Sequence, residues 1–312
     1  MRSADLLRAA FGAALLALCG ACATVPRVQQ AFAVGRDGIA VGSPLPCNGG
    51  ATITNTEAVA LPLSGRELRV LSWNLHKNDD PGWETDLARF AAASDLLLIQ
   101  EAALSAPLER VLQDAGYDWL LASSFMLHDH ATGVLSAARG RPASACVQRF
   151  FEPLLRLPKS GVITRYEVKG VAQRLAVANL HSINFTLGLR GYRAQLEAIA
   201  RELADHHGPV VVAGDLNTWN PRRLEVVHDV MERMGLVPVL PSIGTRSRFL
   251  GHQVDFIFVR GLEVVHAEAP EVESSDHNPL LATLRVAGAS HDTAASPSAS
   301  ARVIAALVPA AR

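Results

Sequence analysis

The sequence predicts an α/β layered domain, and three observations predict it. Apolar runs of strand length, LRVLSW, DLLLI, LAVANL, PVVVAGD and VDFIFV, recur between residues 68 and 259. Strands this continuously apolar belong to sheets covered on both faces. Between them lie segments of helical period: Leu196, Ile199, Ala200 and Leu203 fall at i, i+3, i+4 and i+7, one apolar stripe to lay against a sheet. Finally, 312 residues with 49% hydrophobic and 19% charged side chains are ordinary globular composition, long enough for a full core.

Taken in order, the chain opens with Arg2 and Arg8 ahead of FGAALLALCGACATVP, the basic and apolar regions of an export signal over residues 1–21. The apolar stretch is too short for a stable membrane span. LCGAC before Ala23 resembles a bacterial lipoprotein box, with Cys22 as the lipidated first residue; cleavage at an A-x-A pattern is the competing reading. Both export the protein, to the periplasm or to a membrane-anchored lipoprotein of the envelope. Residues 22–65, rich in Gly, Pro, Ala and Thr without sustained periodicity, read as a linker. A catalytic domain is expected over 66–288. Within it, 190–206 is a helix against the sheet, and 221–234 a second helix, with Asn220 as N-cap and Pro221 in the first turn. Residues 289–312 read as a disordered Ala/Ser/Pro tail.

Composition excludes several classes. A formal net charge of −1 offers no global positive field for a nucleic acid. A local groove stays open, since Arg139, Arg141, Arg149, Arg156 and Lys159 crowd one stretch; a solvated surface is the alternative. Of four cysteines, Cys47 and Cys146 remain after processing, either as a disulfide or as two buried thiols. The C-x-x-C of Cys19 and Cys22 falls in the export signal, and no second such pair completes a zinc site; no G-x-S-x-G marks a serine nucleophile.

Five segments end an apolar run in a polar cluster: LSWNLHK, LLLIQEA, VANLHSIN, VVVAGDLNTW and SSDHNPLL. Such strand ends would gather Asn74, Glu101, His181, Asp215 with Asn217, and Asp276 with His277 on one rim. Carboxylates suit a hard cation, imidazoles proton transfer and amides phosphate oxygens, which together read as metal-assisted phosphoester hydrolysis. Alone, D-x-N in GDLNTW is more simply an Asx turn.

In this order, and with VDFIFVRG at 254–261 and TGVLSAAR at 132–139, the segments resemble the endonuclease/exonuclease/phosphatase, or DNase I-like, family. RLPKSGVITRYEV, HSINFTLGL and HHGPVVVAGDLNTW are similar to a compact bacterial branch, the YafD-like proteins. The resemblance implies a four-layer α/β sandwich, two mixed β-sheets packed face to face with flanking helices. It implies Glu101 and Asp276 as metal ligands, for Mg²⁺ or Mn²⁺. It further implies Asp215 as the group that orients or deprotonates the attacking water, Asn217 and His181 beside it, and Asp255 orienting His277. Asn74 and Asn184 would bind phosphate. His76 stands where the apurinic endonuclease branch carries Asp, and His181 where it carries Tyr, which lowers a DNA-repair reading. Nucleic acid is expected as substrate ahead of phospholipid, nucleotide or sugar phosphoesters, and a monomer is expected. A lipid substrate would need an exposed apolar loop, for which 182–189 is the candidate. A non-catalytic binding protein of the same fold is the remaining alternative.

Overall fold

The computed structural model describes residues 23–35, 38–42, 47, 53–54, 58–63, 67–186 and 188–286. The export signal, Cys22 and the 289–312 tail lie outside them. The longer strands are β1 (Ala31–Gly35), β2 (Gly38–Gly42), β3 (Glu67–Asn74), β4 (Leu96–Ala103), β5 (Asp118–Leu127), β6 (His130–Ala138) and β7 (Ser144–Phe151). They continue as β8 (Pro158–Tyr166), β9 (Leu175–His181), β10 (Val210–Asp215), β11 (Asp255–Arg260), β12 (Leu262–Ala269) and β13 (Leu280–Val286). Four helices accompany them: α1 (Trp83–Ala92), α2 (Ala106–Asp114), α3 (Arg190–Glu202) and α4 (Pro221–Arg233).

Two mixed sheets result. The first runs β12-β13-β3-β4-β6-β5-β1-β2, with residues 243–244 on its β12 edge. The second runs β11-β10-β9-β8-β7, with residues 237–238 and 53–54 at its two edges. Among the longer strands each is antiparallel except for one inner pair, β3 with β4 and β9 with β10, and residues 243–244 pair parallel with β12. Leu68, Val70, Leu96 and Leu98 of the first sheet pack against Val177, Val211, Ala213 and Ile257 of the second. The opposite faces bury Leu71, Trp73 and Leu97 under α1 and α2, and Ile163, Ala178 and Val212 under α3 and α4. These are four layers, helices outside and sheets within. The runs read as two-faced strands owe their lack of alternation to being covered on both sides.

The helices begin where local chemistry starts them. The side chain of Asn220 accepts a hydrogen bond from Arg223 N at 3.1 Å, capping α4 ahead of Pro221. The stripe Leu196, Ile199 of α3 is buried in the outer core.

Within the segment read as a linker, residues 31–35, 38–42 and 53–54 form strands. β1 pairs with β2 and β5, and residues 53–54 extend β7. Unpaired strand edges recruit available extended chain, and a short Gly/Ala-rich strand carries too little periodicity to announce itself. Cys47 and Cys146 form a disulfide across a sequence separation of 99, fastening this segment to β7. Closing so long a loop constrains the unfolded chain by about 4–5 kcal/mol in the chain-entropy account.

Candidate active site

The C-terminal ends of the two parallel pairs meet. Asn74 ends β3 and Asp215 ends β10, and Asn74 Nδ2 donates to Asp215 Oδ2 across the sheets at 3.2 Å. On the second sheet His181, Asp215 and Asp255 are register partners on β9, β10 and β11. Three titratable groups therefore stand side by side because three strands end or begin at the same level.

Asp215 is buried and fully engaged. Oδ2 also contacts His181 Nε2 at 3.2 Å, and Oδ1 accepts from Asn217 N at 2.9 Å. Burial pushes this carboxyl up, but His181, His277 and the backbone donor outweigh it and hold it at about 2, so it is ionised at neutral pH. Gly214 precedes it at φ 142°, where a Cβ would lie 1.9 Å from the Leu180 carbonyl oxygen. Only glycine lets β10 approach β9 closely enough for the His181 contact.

Glu101 arrives through a break in β4. Register with β6 shifts between Ile99 and Ala102, and Glu101 takes φ 49°, a β-bulge. On an unbroken strand Gln100 and Glu101 would face opposite ways. With the bulge both reach the second sheet, Gln100 donating to Asn179 Oδ1 at 2.7 Å and Glu101 meeting Lys159 Nζ at 3.2 Å. Lys77 Nζ donates to the other oxygen of Glu101, and His181 Nδ1 lies 3.7 Å from Oε1. Burial raises the Glu101 carboxyl, yet Lys159, Lys77 and His181 hold it well below the usual range.

His277 Nδ1 contacts Asp255 Oδ2 at 2.8 Å, and the remaining Asp255 oxygen is buried without a hydrogen-bond partner among the described residues. Burial pushes Asp255 up and would push His277 down. The contact overrides this for the imidazole, which with help from Asp215 keeps its proton up to about 10. Trp73 Nε1 donates to the His277 carbonyl at 2.7 Å, and Ser275 Oγ links His277 N to the Asn74 carbonyl. These bonds lock the SDH segment to the end of β3. Asp276 turns outward, its side chain 59% exposed, 3.9 Å from His76.

The structure thus brings together Asn74, Glu101, His181, Asp215, Asp255 and His277, with Asp276 at the mouth. Asn217 and Asn184 take other places. β10 stops at Asp215 and Asn217 adopts φ 50°, so the two side chains do not share a strand face; Asn217 Nδ2 donates to the Ser182 carbonyl. The Asx turn and the site coexist. Asn184 accepts from Trp219 Nε1 at 2.8 Å, and its backbone donates to Glu152, which ties loops together rather than facing the centre. In the 182–189 segment Ser182 and Ile183 are buried.

Residue-level reasoning missed two ammonium groups. Lys77 belongs to the turn His76–Asn78, where three successive residues take positive φ, held by Asn78 bonding both backbone groups of Ala103. Its signal was its place in NLHK. Lys159 was visible only as part of a basic stretch; a lysine entering the buried run of β8 was the better clue. The arginines of that stretch take separate partners. Arg139 is spent on the carbonyls of Ala91, Ser94 and Ala115, Arg141 pairs with Asp118, and Arg149 binds the carbonyls of Pro26 and Arg27. Sequence neighbours on adjacent β-strands and turns simply point to different faces.

The residues present fit a divalent cation. Glu101 is an ionised oxygen donor, and the Lys77 ammonium beside it is raised by both Glu101 and Asp276 against its burial. A positive charge already sits in the field of both expected ligands, an all-oxygen set suited to a hard ion. Asp215, Asp255 and His277 also bring ligand atoms within 4.8 Å of one another. Because an ion on Glu101 must displace that ammonium, Lys77→Met is expected to tighten Mg²⁺ binding about five- to tenfold. A thermal-shift titration with Mg²⁺ checks this; weaker binding would make Lys77 a support of the ion site instead.

Comparison with known proteins bears on this arrangement. The model of the Endonuclease/Exonuclease/phosphatase family matches residues 71–277. A UPF0294 protein of Vibrio cholerae is 37% identical over 284 residues, 91% of this chain and 97% of that one. Among solved structures, the endonuclease/exonuclease/phosphatase from Bacteroides vulgatus aligns with TM-score 0.57 and 18% identity, over 71% of this chain and 99% of that one. ANGEL2, a 2',3'-cyclic phosphatase, aligns with TM-score 0.53 and 17% identity, over 70% and 96%. At these identities the structural likeness shows the fold alone.

Proposed function

The chain belongs to the endonuclease/exonuclease/phosphatase family, within its UPF0294 group, and we propose that it is a divalent-metal-dependent phosphoesterase that cleaves phosphodiester bonds by direct attack of water. One observation carries this reading: a buried ionised carboxylate, Asp215, lies beside a protonated imidazole, His277, with a second ionised carboxylate, Glu101, on the same rim. Groups whose surroundings drive their proton affinities apart make an acid–base pair.

Asp215, oriented by Asn74, His181 and the Asn217 amide, holds the attacking water and receives its proton as the new P–O bond forms. A carboxylate held at about 2 is a weak base at rest, so its work is mainly orientation and charge until the water's acidity rises in the transition state. His277, its Nδ1 engaged by Asp255, presents its Nε2 proton to the phosphoryl group and donates it to the departing oxygen as that P–O bond breaks. Lys159 adds positive charge beside His181, where negative charge accumulates. Glu101 and Asp276 would hold Mg²⁺ or Mn²⁺, which when bound neutralises non-bridging oxygens as a Lewis acid. ANGEL2, a phosphatase of this fold, supports a phosphoester as the class of substrate.

The export signal read at residues 1–21 supports action outside the cytoplasm, in the periplasm or as an envelope lipoprotein anchored through Cys22. The test is Mg²⁺- and Mn²⁺-dependent hydrolysis of bis(p-nitrophenyl) phosphate, alongside plasmid DNA, single-stranded RNA, sphingomyelin and phosphoinositides. Glu101→Ala is expected to lower turnover at least about a hundredfold in a protein that still folds, as circular dichroism would show. Unchanged turnover in that variant would sink the assignment.

A further inference from the structure

Two loops border the site, and both end in bare apolar side chains. The first, 153–157, reads Pro-Leu-Leu-Arg-Leu and joins β7 to β8; Leu154 is 54% exposed, and Leu155 and the preceding Phe151 are exposed as well. The second is the turn of a small hairpin, residues 248–252, Arg-Phe-Leu-Gly-His, in which Phe249 is 47% and Leu250 70% exposed.

Each loop is fastened at its base to the catalytic rim. Lys159, two residues beyond the first loop, reaches Glu101, and the buried Glu152 at its start accepts a hydrogen bond from Asn184 N, three residues after His181. The hairpin's Gln253 carbonyl accepts from Thr218, next to Asn217. Ser247 Oγ, on its other side, accepts from Asn278 N, next to His277.

The two loops share no sequence pattern of secondary structure, yet they share a composition. Each carries two or more large apolar residues, one exposed arginine, Arg156 or Arg248, and no acidic residue. Leu250 adds a conformational cost to its exposure, with φ at 51°, a left-handed position where Gly or Asn sits without strain. Water is a poor surrounding for these tips, and so is a polyanion such as DNA, which needs a basic track that the spent Arg139, Arg141 and Arg149 do not supply. Apolar wedges flanked by cations match an anionic lipid surface.

Resting on the phosphoesterase reading above, we propose that the protein works at a membrane surface: loops 153–157 and 248–252 dip into an anionic bilayer and bring a lipid-borne phosphodiester to the rim. No helix among the described residues is long and apolar enough to cross a membrane.

The experiment uses the mature chain with sucrose-loaded vesicles of phosphatidylcholine and phosphatidylglycerol, against vesicles of phosphatidylcholine alone. Wild type is expected to sediment with the anionic vesicles. Leu154→Ser with Leu155→Ser, and Phe249→Ser with Leu250→Asn, are expected to weaken this together about a hundredfold, leaving hydrolysis of soluble bis(p-nitrophenyl) phosphate unchanged. That unchanged turnover certifies the fold of each double variant. A wild type that ignores vesicles, or loop variants that bind them equally, overturns the proposal; cleavage of plasmid DNA undisturbed by the same substitutions would then make nucleic acid the substrate. Loop-dependent vesicle binding in a wild type that hydrolyses no diester keeps the membrane surface and removes the phosphoesterase reading instead.

Discussion

Asp255→Asn is expected to lower kcat by about two to three orders of magnitude and to bring down the alkaline limb of the pH–rate profile. Asp255 is buried with one oxygen on His277 Nδ1 at 2.8 Å, and its charge is the main reason that imidazole stays protonated up to about 10 despite burial. The protonated form is the active one in the proposed chemistry. Activity is therefore retained below that value and lost as pH rises through it. With a neutral amide at 255, burial is offset only by Asp215 and Asp276, and the loss moves down toward the ordinary histidine range. His277→Ala should cost at least as much, and the double variant little more, because the pair acts as one unit. Measuring kcat against pH for the two singles and the double checks this. An alkaline limb unmoved in Asp255→Asn would mean that another group sets it.

Arg223→Ala is expected to cost about 3–5 kcal/mol of stability and most of the activity, although no atom of Arg223 reaches the catalytic carboxylates or imidazoles. Its side chain, 1% exposed, lies between the rings of Tyr192 and Trp219 at 4.4 and 4.7 Å. From there Nη1 donates to the carbonyls of Ile183 at 2.9 Å and Asn217 at 3.0 Å, and Nη2 donates to Asn184 O and Thr186 Oγ1. One planar fork thus holds both loops that follow His181 and Asp215. Removal strands buried carbonyls and opens a cavity. Arg223→Lys separates the two effects, since one ammonium keeps charge but cannot span both loops. Lysine should restore part of the urea midpoint while kcat stays at least about tenfold down. Recovery of both together would show that Arg223 supports the fold alone.

Much of this is legible in the sequence. The runs LRVLSW, LAVANL and PVVVAGD are strands because apolar residues without alternation need cover on both faces, and Asn220–Pro221 starts a helix because its capping is local. Polar groups at the ends of such strands, Asn74, Glu101, His181 and Asp215, announce a shared rim by the same logic. Legibility fails where non-local contacts decide. Residues 31–35 and 53–54 become strand only because β5 and β7 offer edges to them, and nothing in their composition records those edges. The cations of 139–159 look like one patch in sequence, yet alternation and turns send them to separate faces.

What the sequence by itself determined is the alphabet of the site and the elements that bear it, since periodicity, capping and strand-end chemistry are short-range. Only the tertiary structure decided the proton affinities and the partners: Asp215 is driven down and His277 up because β3, β9, β10 and β11 bring their charges together in a buried place. Lys77 and Lys159 likewise reach Glu101 from 24 and 58 residues away. Electrostatic energy depends on distance and burial, and neither is written in the order of residues along a chain.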